Sequence, residues 1–455
     1  MTPEEFRKAG HHVVDWIADY LRDVGERPVL PDVEPGELTD RLPLSAPEKG
    51  EPMEEILEDF RELIVPGIVH WNHPRFLAYF ANSASGPGIL GEMLAAALND
   101  NHMLWKTGPA ATELEQVSLS WLRQWLGLPE DFFGIIHDTA STATMHAVIA
   151  ARSAAGAHDI SSLVLYTSEH ANLSVDRAAL AAGVGRGHIR HIEADDDFRM
   201  RPAALTAAIE SDLRAGKRPF CIVPTLGTTS SASLDPLPEI AAIARQYGLW
   251  LHVDAAYAGP AAILEEHRSL LNGAELSDSL VINPHKWLFT PMDLSILYTR
   301  RPDDFRRALS LEEAPAYIQT AGSGREVNLC EYTVSLGRRF RALKLWFVLR
   351  SYGREGVEKI LRSHIELARA FAQKISESPD FELAAPQMFS LVCFRWKGSD
   401  QENRELLEKI NDSGRAFLSG TTLHGRFVLR LAIGNIGTTK ADLEEVWDLL
   451  EKLKP

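Results

Sequence analysis

Three short stretches carry groups able to do chemistry together. The apolar run Trp250–Val253 ends in Asp254-Ala255-Ala256-Tyr257, which sets a carboxylate just past a predicted strand. A plain structural cap is the alternative reading for that aspartate. The run Ser279–Asn283 leads into Pro284-His285-Lys286-Trp287, which puts an amine beside an imidazole and an indole. Lysine is rarely buried unless it is paired or covalently used, so a functional Lys286 is favoured over a core one. The third stretch, Thr139-Ala140-Ser141, precedes a predicted helix Thr142–Arg152. Hydroxyls and free N–H groups at a helix start make an anion site, although an ordinary N-cap would look the same.

A lysine able to form a Schiff base, an aspartate able to keep a pyridine nitrogen protonated and a phosphate cup are together the requirements of pyridoxal 5′-phosphate (PLP). Other motifs compete poorly. Gly183, Gly185 and Gly187 fall between an Ala-rich helix and a short strand, the wrong order for a dinucleotide turn. The sequence has no HExxH, GxSxG or P-loop, and His70 and His73 read as packing or substrate-pocket residues rather than metal ligands.

The elements that must position these groups follow from periodicity. Residues 86 to 300 alternate short apolar runs (Ser162–Thr167, Phe220–Thr225, Trp250–Ala255, Ser279–Asn283, Leu294–Thr299) with amphipathic stretches such as Pro202–Leu213 and Leu237–Tyr247. That alternation predicts βαβ units around a mostly parallel, buried sheet, with ligands beyond the carboxyl ends of its strands. A glycine-bearing loop, Glu312–Glu331, reads equally as an active-site lid or a surface excursion, with a helix expected from about Leu336. Three regions result: an N-terminal arm over 1–85 that buries little by itself, a large α/β domain over 86–345, and a small α/β domain over 346–455 opening with a helix Glu355–Ile375.

The chain resembles the group II PLP-dependent decarboxylases, in particular the aromatic-L-amino-acid decarboxylases. The likeness rests on Pro31-Asp32-Val33-Glu34-Pro35-Gly36, His70-Trp71, Ala78-Tyr79-Phe80, Thr225-Leu226-Gly227-Thr228-Thr229, His252-Val253-Asp254-Ala255-Ala256-Tyr257, Asn283-Pro284-His285-Lys286-Trp287 and Leu336-Gly337-Arg338-Arg339. It implies an aspartate aminotransferase-like (fold type I) α/β architecture and a homodimer with the arm wrapped over the partner. By resemblance, Lys286 is the Schiff-base lysine, Asp254 pairs with the pyridine nitrogen and Ala256 packs on the ring. Thr139, Ala140, Ser141, Asn283 and His285 would surround the phosphate, and Thr229 would lie near the ring's substituents. Tyr317, inside the loop, matches the family's proton-donating tyrosine. Trp71, Tyr79, Phe80 and Trp105 would offer a slot for a substrate ring, with core packing as the alternative for some of them.

Two departures bear on the product and the substrate. Where the family's decarboxylases stack a histidine on the ring, Ser168-Glu169-His170-Ala171-Asn172 places Asn172, as do some relatives that are aldehyde synthases. An asparagine removes a proton donor that would assist Tyr317. Asn101 and Met103 replace bulkier groups in the pocket, while Gly337 matches relatives that accept large rings, so phenylalanine, tyrosine, tryptophan and dihydroxyphenylalanine are all candidate substrates. Simple decarboxylation to the amine is expected, with an O2-dependent aldehyde synthase as the first alternative. An aminotransferase or a glutamate-type decarboxylase could use the same Lys and Asp, and a noncatalytic PLP-binding scaffold is the alternative outside enzymes.

Composition agrees with a small-molecule enzyme. Of 455 residues, 45% are apolar, too many for intrinsic disorder, and 47 basic against 63 acidic side chains give a net charge of −16, unsuited to nucleic acid or anionic membranes. No apolar run approaches the roughly 18 residues that span a bilayer, and Met1–Arg7 is acidic where a signal peptide would be basic. Cys221, Cys330 and Cys393 form no framework, so a cytoplasmic location is expected.

Overall fold

The structure is a computed structural model describing residues 1–80, 82–156, 160–310 and 325–455. Seven strands form the main sheet: β1 (Phe133–His137), β2 (Leu163–Ser168), β3 (Ile189–Ile192), β4 (Arg218–Val223), β5 (Trp250–Asp254), β6 (Ser279–Ile282) and β7 (Ser295–Thr299), in the order β1-β7-β6-β5-β4-β2-β3. Strands β3, β2, β4, β5 and β6 are parallel; β7 runs against both β6 and β1, so β1 points the same way as β6. The sheet is therefore mostly parallel, as its apolar runs require. Strands β1 and β3 were not among the predicted ones, and the predicted strands shift by one or two residues at their ends.

Helices cover this sheet through small side chains. Ala140–Ala154 packs on it with Ala143, Ala147, Ala150 and Ala151, all buried against Leu163, Leu165 and Val223. Alanine at these positions lets the helix axis approach the strands closely, which fixes where the start of the helix lies.

The chain forms two compact units: Asn82–Ala370 with Ala385–Val392, and Met1–Ala81 with Phe371–Ala384 and Cys393–Pro455. The second unit holds the antiparallel sheet β10-β11-β9-β8, built from β8 (Phe381–Leu383), β9 (Leu391–Trp396), β10 (Ser419–Leu423) and β11 (Arg426–Ala432). Its first helix, Pro3–Asp23, is closed by a Thr2/Glu5 capping box and buries none of its residues. Phe6 and Val14 are exposed on that helix.

One sequence expectation needs correction: the helix expected from Leu336 begins at Ala342, while the helix expected over Glu355–Ile375 is present as the part of Ala342–Glu377 that follows Gly353. Gly353, at φ 61° and ψ 177°, breaks that helix, a conformation glycine adopts without the Cβ penalty of other residues. Ahead of it, Leu329–Tyr332 is a single 3₁₀ turn.

Candidate active site

Because β1, β2, β4, β5 and β6 share one direction, the residues following each lie along the same edge of the sheet. Thr139 follows β1, Asn172 follows β2, Thr225–Thr229 follow β4, Asp254 ends β5, and Asn283–Lys286 follow β6. Parallel topology thus gathers positions that are far apart in the chain.

Asp254 is clasped on both sides by backbone. Its N–H donates to Pro224 O at 2.9 Å and its carbonyl accepts from Leu226 N–H at 2.8 Å, while Ala255 donates to Val281 O at 3.0 Å. The carboxylate accepts the Ala256 N–H at 3.0 Å. Burial pushes its pKa up, and the Lys286 ammonium and the Ala256 bond only partly counter this. A buried carboxylate in that condition is best satisfied by a second cationic or N–H partner, which a protonated pyridine nitrogen provides.

Lys286 sits on the one-turn helix Pro284–Trp287 and is half-buried. Trp287 stacks on Tyr257 with centroids 5.2 Å apart and planes 17° from parallel. The Tyr257 hydroxyl lies 2.8 Å from Ser390 Oγ, and Trp287 Nε1 donates to His364 Nδ1 at 3.0 Å. The two rings clamp the loop that carries Asp254 to the turn that carries Lys286. Gly227 holds the third loop close: at φ 91°, a Cβ there would meet the Ala258 Cβ at 2.6 Å.

Thr139, Ala140 and Ser141, expected near a phosphate, form a helix start. Thr139 Oγ1 caps Thr142 N–H at 3.5 Å and Thr139 O accepts from Ala143 N–H at 3.0 Å. The Ala140 and Ser141 N–H groups, in the first turn, have no intrahelical acceptor and are suited to an anion. Asn283 Oδ1 accepts from Ser295 Oγ at 2.6 Å. His285 Nδ1 accepts the Leu294 N–H at 3.0 Å, which leaves Nε2 as the proton-bearing nitrogen. Burial, with Lys286 adding to it, lowers the His285 pKa to about 3, so the ring is neutral.

Asn172 and Thr229, 57 residues apart, meet: Asn172 Nδ2 donates to Thr229 Oγ1 at 2.8 Å, and Asn172 Oδ1 accepts the Ser174 N–H at 2.9 Å as the cap of Leu173–Ala181. His170 packs edge-on to Phe198 at 5.4 Å. The donor set, Lys286, Asp254 and the helix start, fits PLP.

Of the residues expected to line a substrate pocket, Asn101 and Gly337 are neighbours. A Cβ on Gly337 would meet the Asn101 amide at 3.8 Å, and Asn101 Oδ1 accepts the Arg338 N–H at 2.8 Å. Met103 O accepts the Cys330 N–H at 3.1 Å. Trp71, Tyr79 and Phe80 belong to the other unit, where Trp71 stacks on Phe76 at 4.3 Å and on Tyr79 at 6.0 Å, and Phe80 is buried. Tyr317 lies outside the described residues.

Several contributors escaped sequence reasoning. His252, two residues before Asp254, bonds Ser279 Oγ through Nδ1 at 2.8 Å and Thr144 Oγ1 through Nε2 at 3.2 Å, which ties β5 to the phosphate-cup helix. Glu115 accepts from Arg338 at 2.8 Å and from Ile136 N–H at 2.9 Å, and lies 3.3 Å from His102. The role of Tyr257 has one sequence signal, its position three residues beyond Asp254 in an apolar loop.

Residues 35–397 match the family model described as the pyridoxal-dependent decarboxylase conserved domain. The chain is 40% identical to a phenylacetaldehyde synthase of Arabidopsis thaliana, covering 99% of this chain and 96% of that one. It is 41% identical to an aromatic-L-amino-acid decarboxylase of Rattus norvegicus, covering 100% and 98%. Among solved structures, Oryza sativa TDC with PLP and tryptamine superposes with a TM-score of 0.97 at 36% identity, covering 100% of this chain and 98% of that one.

Proposed function

The chain belongs to the pyridoxal-dependent decarboxylase family, and from that premise we propose that it releases CO2 from an aromatic L-amino acid of the phenylalanine, tyrosine, tryptophan and dihydroxyphenylalanine class, leaving the arylalkylamine. It is a PLP-dependent carboxy-lyase of the aromatic amino acid decarboxylase kind. The observation that carries the reading is the Tyr257–Trp287 clamp, which fixes the Asp254 loop to the Lys286 turn.

Lys286 would hold the cofactor through Nζ, and Asp254 would face its ring nitrogen. Thr139, the N–H groups of Ala140 and Ser141, Asn283 and the Nε2–H of His285 would take the phosphate, with Ala256 and Asn172 flanking the ring and Thr229 anchoring Asn172. When bound, PLP supplies a cationic ring that accepts the electron pair left behind as CO2 departs. The buried Asp254 carboxylate keeps the proton on the ring nitrogen, and low local dielectric strengthens that attraction. Lys286, half-buried on the turn after β6, would bond the cofactor's carbonyl in its neutral form. The Tyr317 phenol would return a proton to the substrate carbon. Trp71, Tyr79, Phe80, Met103 and Gly337 would select the ring, and the names of the relatives support an aromatic substrate.

Asn172 favours a second reading. Its amide is engaged at both ends and carries no titratable proton, so reprotonation rests on Tyr317 alone. Slow reprotonation would let O2 intervene, with the amino acid, O2 and water yielding aldehyde, CO2, ammonia and hydrogen peroxide.

The assembly we propose is a homodimer in the cytoplasm. Leu90, Leu94 and Leu98 form an exposed apolar stripe on the helix Gly86–Leu98, and the Pro3–Asp23 helix fully buries none of its residues and leaves Phe6 and Val14 exposed, which supports a partner surface for both. Among the described residues no helix is long and apolar enough to cross a membrane. CO2 release from each of the four aromatic amino acids and from glutamate, measured on the PLP-loaded protein, tests the substrate class. The reading expects release from at least one aromatic acid and none from glutamate; the reverse pattern would overturn it.

A further inference from the structure

We propose that a second small-molecule site, built for a small aromatic carboxylate, lies beside the Tyr257–Trp287 clamp and acts on the cofactor site through Phe389. The larger unit contains a pocket of about 260 Å³, open to solvent on one side and walled by Leu270, Ile365, Met388 and Phe389, with His267 and Arg369 on its polar side. An apolar cavity of roughly 150 Å³ holds benzene, so this one has room for a ring and a short acid arm.

The polar side favours an anion. Arg369, exposed at the rim, has no hydrogen-bond or ion-pair partner among the described residues, and its guanidinium fork matches a carboxylate. Glu266, the acid next to His267, is engaged by Arg362 at 2.7 Å, so it does not serve as the counter-ion of Arg369. The His267 imidazole lies edge-on to Phe389 at 5.6 Å. Burial lowers its pKa, Glu266 opposes this and Arg369 adds to it, so the ring is a neutral hydrogen-bonding partner beside a cation.

Phe389 links the cavity to the clamp. It stands edge-on to Trp287 at 6.3 Å and to Tyr257 at 6.5 Å, and the next residue, Ser390, bonds the Tyr257 hydroxyl at 2.8 Å. Its backbone is held at φ 50°, the left-handed region that an aromatic residue rarely occupies. An occupant pressing on Phe389 therefore bears on both rings that hold the Asp254 and Lys286 loops. Coupling of this kind is reciprocal: a ligand that alters cofactor retention must itself bind differently with and without the cofactor.

Benzoate titrated calorimetrically into the PLP-loaded protein, with the PLP release rate followed by absorbance, tests this. Expected are benzoate binding that phenethylamine does not displace, binding of neutral benzamide that is about tenfold weaker, and losses of about tenfold in Arg369→Met and in the cavity-filling Leu270→Trp, the scale of one charge-assisted hydrogen bond. Arg369→Lys, which keeps the charge without the fork, is expected to fall between. Benzoate should change the PLP release rate by about twofold or more. No binding, displacement by phenethylamine, equal affinity in both Arg369→Met and Leu270→Trp with native circular dichroism, or an unchanged PLP release rate would each overturn the proposal. Binding itself is read without any turnover, so its failure is distinct from a failure to decarboxylate.

Discussion

Asn172 Nδ2 donates to Thr229 Oγ1 at 2.8 Å across 57 residues of sequence, joining the loop after β2 to the loop after β4. The bond uses one of the two N–H groups of the Asn172 amide. Thr229→Val keeps the shape and removes the acceptor. We expect a stability loss of about 1 kcal/mol and weaker PLP retention, read from the thermal midpoint and the cofactor off-rate; unchanged values would mean the bond contributes nothing.

Asp254→Asn leaves a neutral amide at the end of β5 in place of a carboxylate. CO2 release is expected to fall by roughly 10²–10³, the scale for removing one preorganised electrostatic partner. Steady-state kinetics with PLP in excess separates this from lost cofactor affinity, and a normal kcat would remove Asp254 from its role.

The clamp gives a graded expectation. Tyr257→Phe retains the stack on Trp287 and loses only the Ser390 bond, whereas Tyr257→Leu loses both. Such a ring pair contributes about 0.5–1.5 kcal/mol beyond its buried area, so PLP affinity should drop by up to about tenfold in the leucine variant and far less in the phenylalanine one. Equal affinities in a PLP titration would contradict the clamp.

Burial lowers the His252 pKa from 6.5 to about 3 in the folded protein. Between those values the unfolded chain takes up a proton that the fold excludes. The contribution to stability is therefore complete above pH 6.5 and is lost as pH falls toward 3, at no more than roughly 1.4 kcal/mol per pH unit. His252→Gln should narrow the gap between thermal midpoints at pH 7.5 and 5.5; an equal gap in both proteins would contradict this.

Glu115 is fully buried and receives Arg338, His102 and the Ile136 N–H. Burial pushes its pKa up, but Arg338 and His102 outweigh this and leave it lowered. Glu115→Ala strands the Arg338 charge in the interior, and a loss of roughly 3–5 kcal/mol is expected in chemical denaturation. A loss below about 1 kcal/mol would mean water or another acid reaches Arg338.

The legible part of the molecule is that in which local pattern and burial coincide. β2, β4, β5 and β6 are built on mostly apolar runs, so both the sheet and the polar residues after its strands could be read directly, Asp254 and Lys286 among them. β1 carries a glycine, Gly134, at its second position, and β3 sets Arg190 and His191 between Ile189 and Ile192, so neither shows the run of a buried strand. β8 is only three residues long and β10 is mostly small and polar, and pairing with neighbours rather than composition makes them strands. At the site, Asn172 and Thr229 were each placed near the ring by resemblance, but their bond, the Glu115–Arg338 pair and the Tyr257–Trp287 stack join distant segments and leave no local mark.

The central claim is tested most directly by a product balance. The PLP-loaded protein would be incubated in air with phenylalanine, tyrosine, tryptophan and dihydroxyphenylalanine separately, and CO2, amine, aldehyde and hydrogen peroxide quantified together. The account expects amine equal to CO2 with no peroxide for at least one of them; aldehyde and peroxide equal to CO2 would contradict simple decarboxylation in favour of the O2-dependent reading, and no CO2 from any of the four would contradict the aromatic assignment itself.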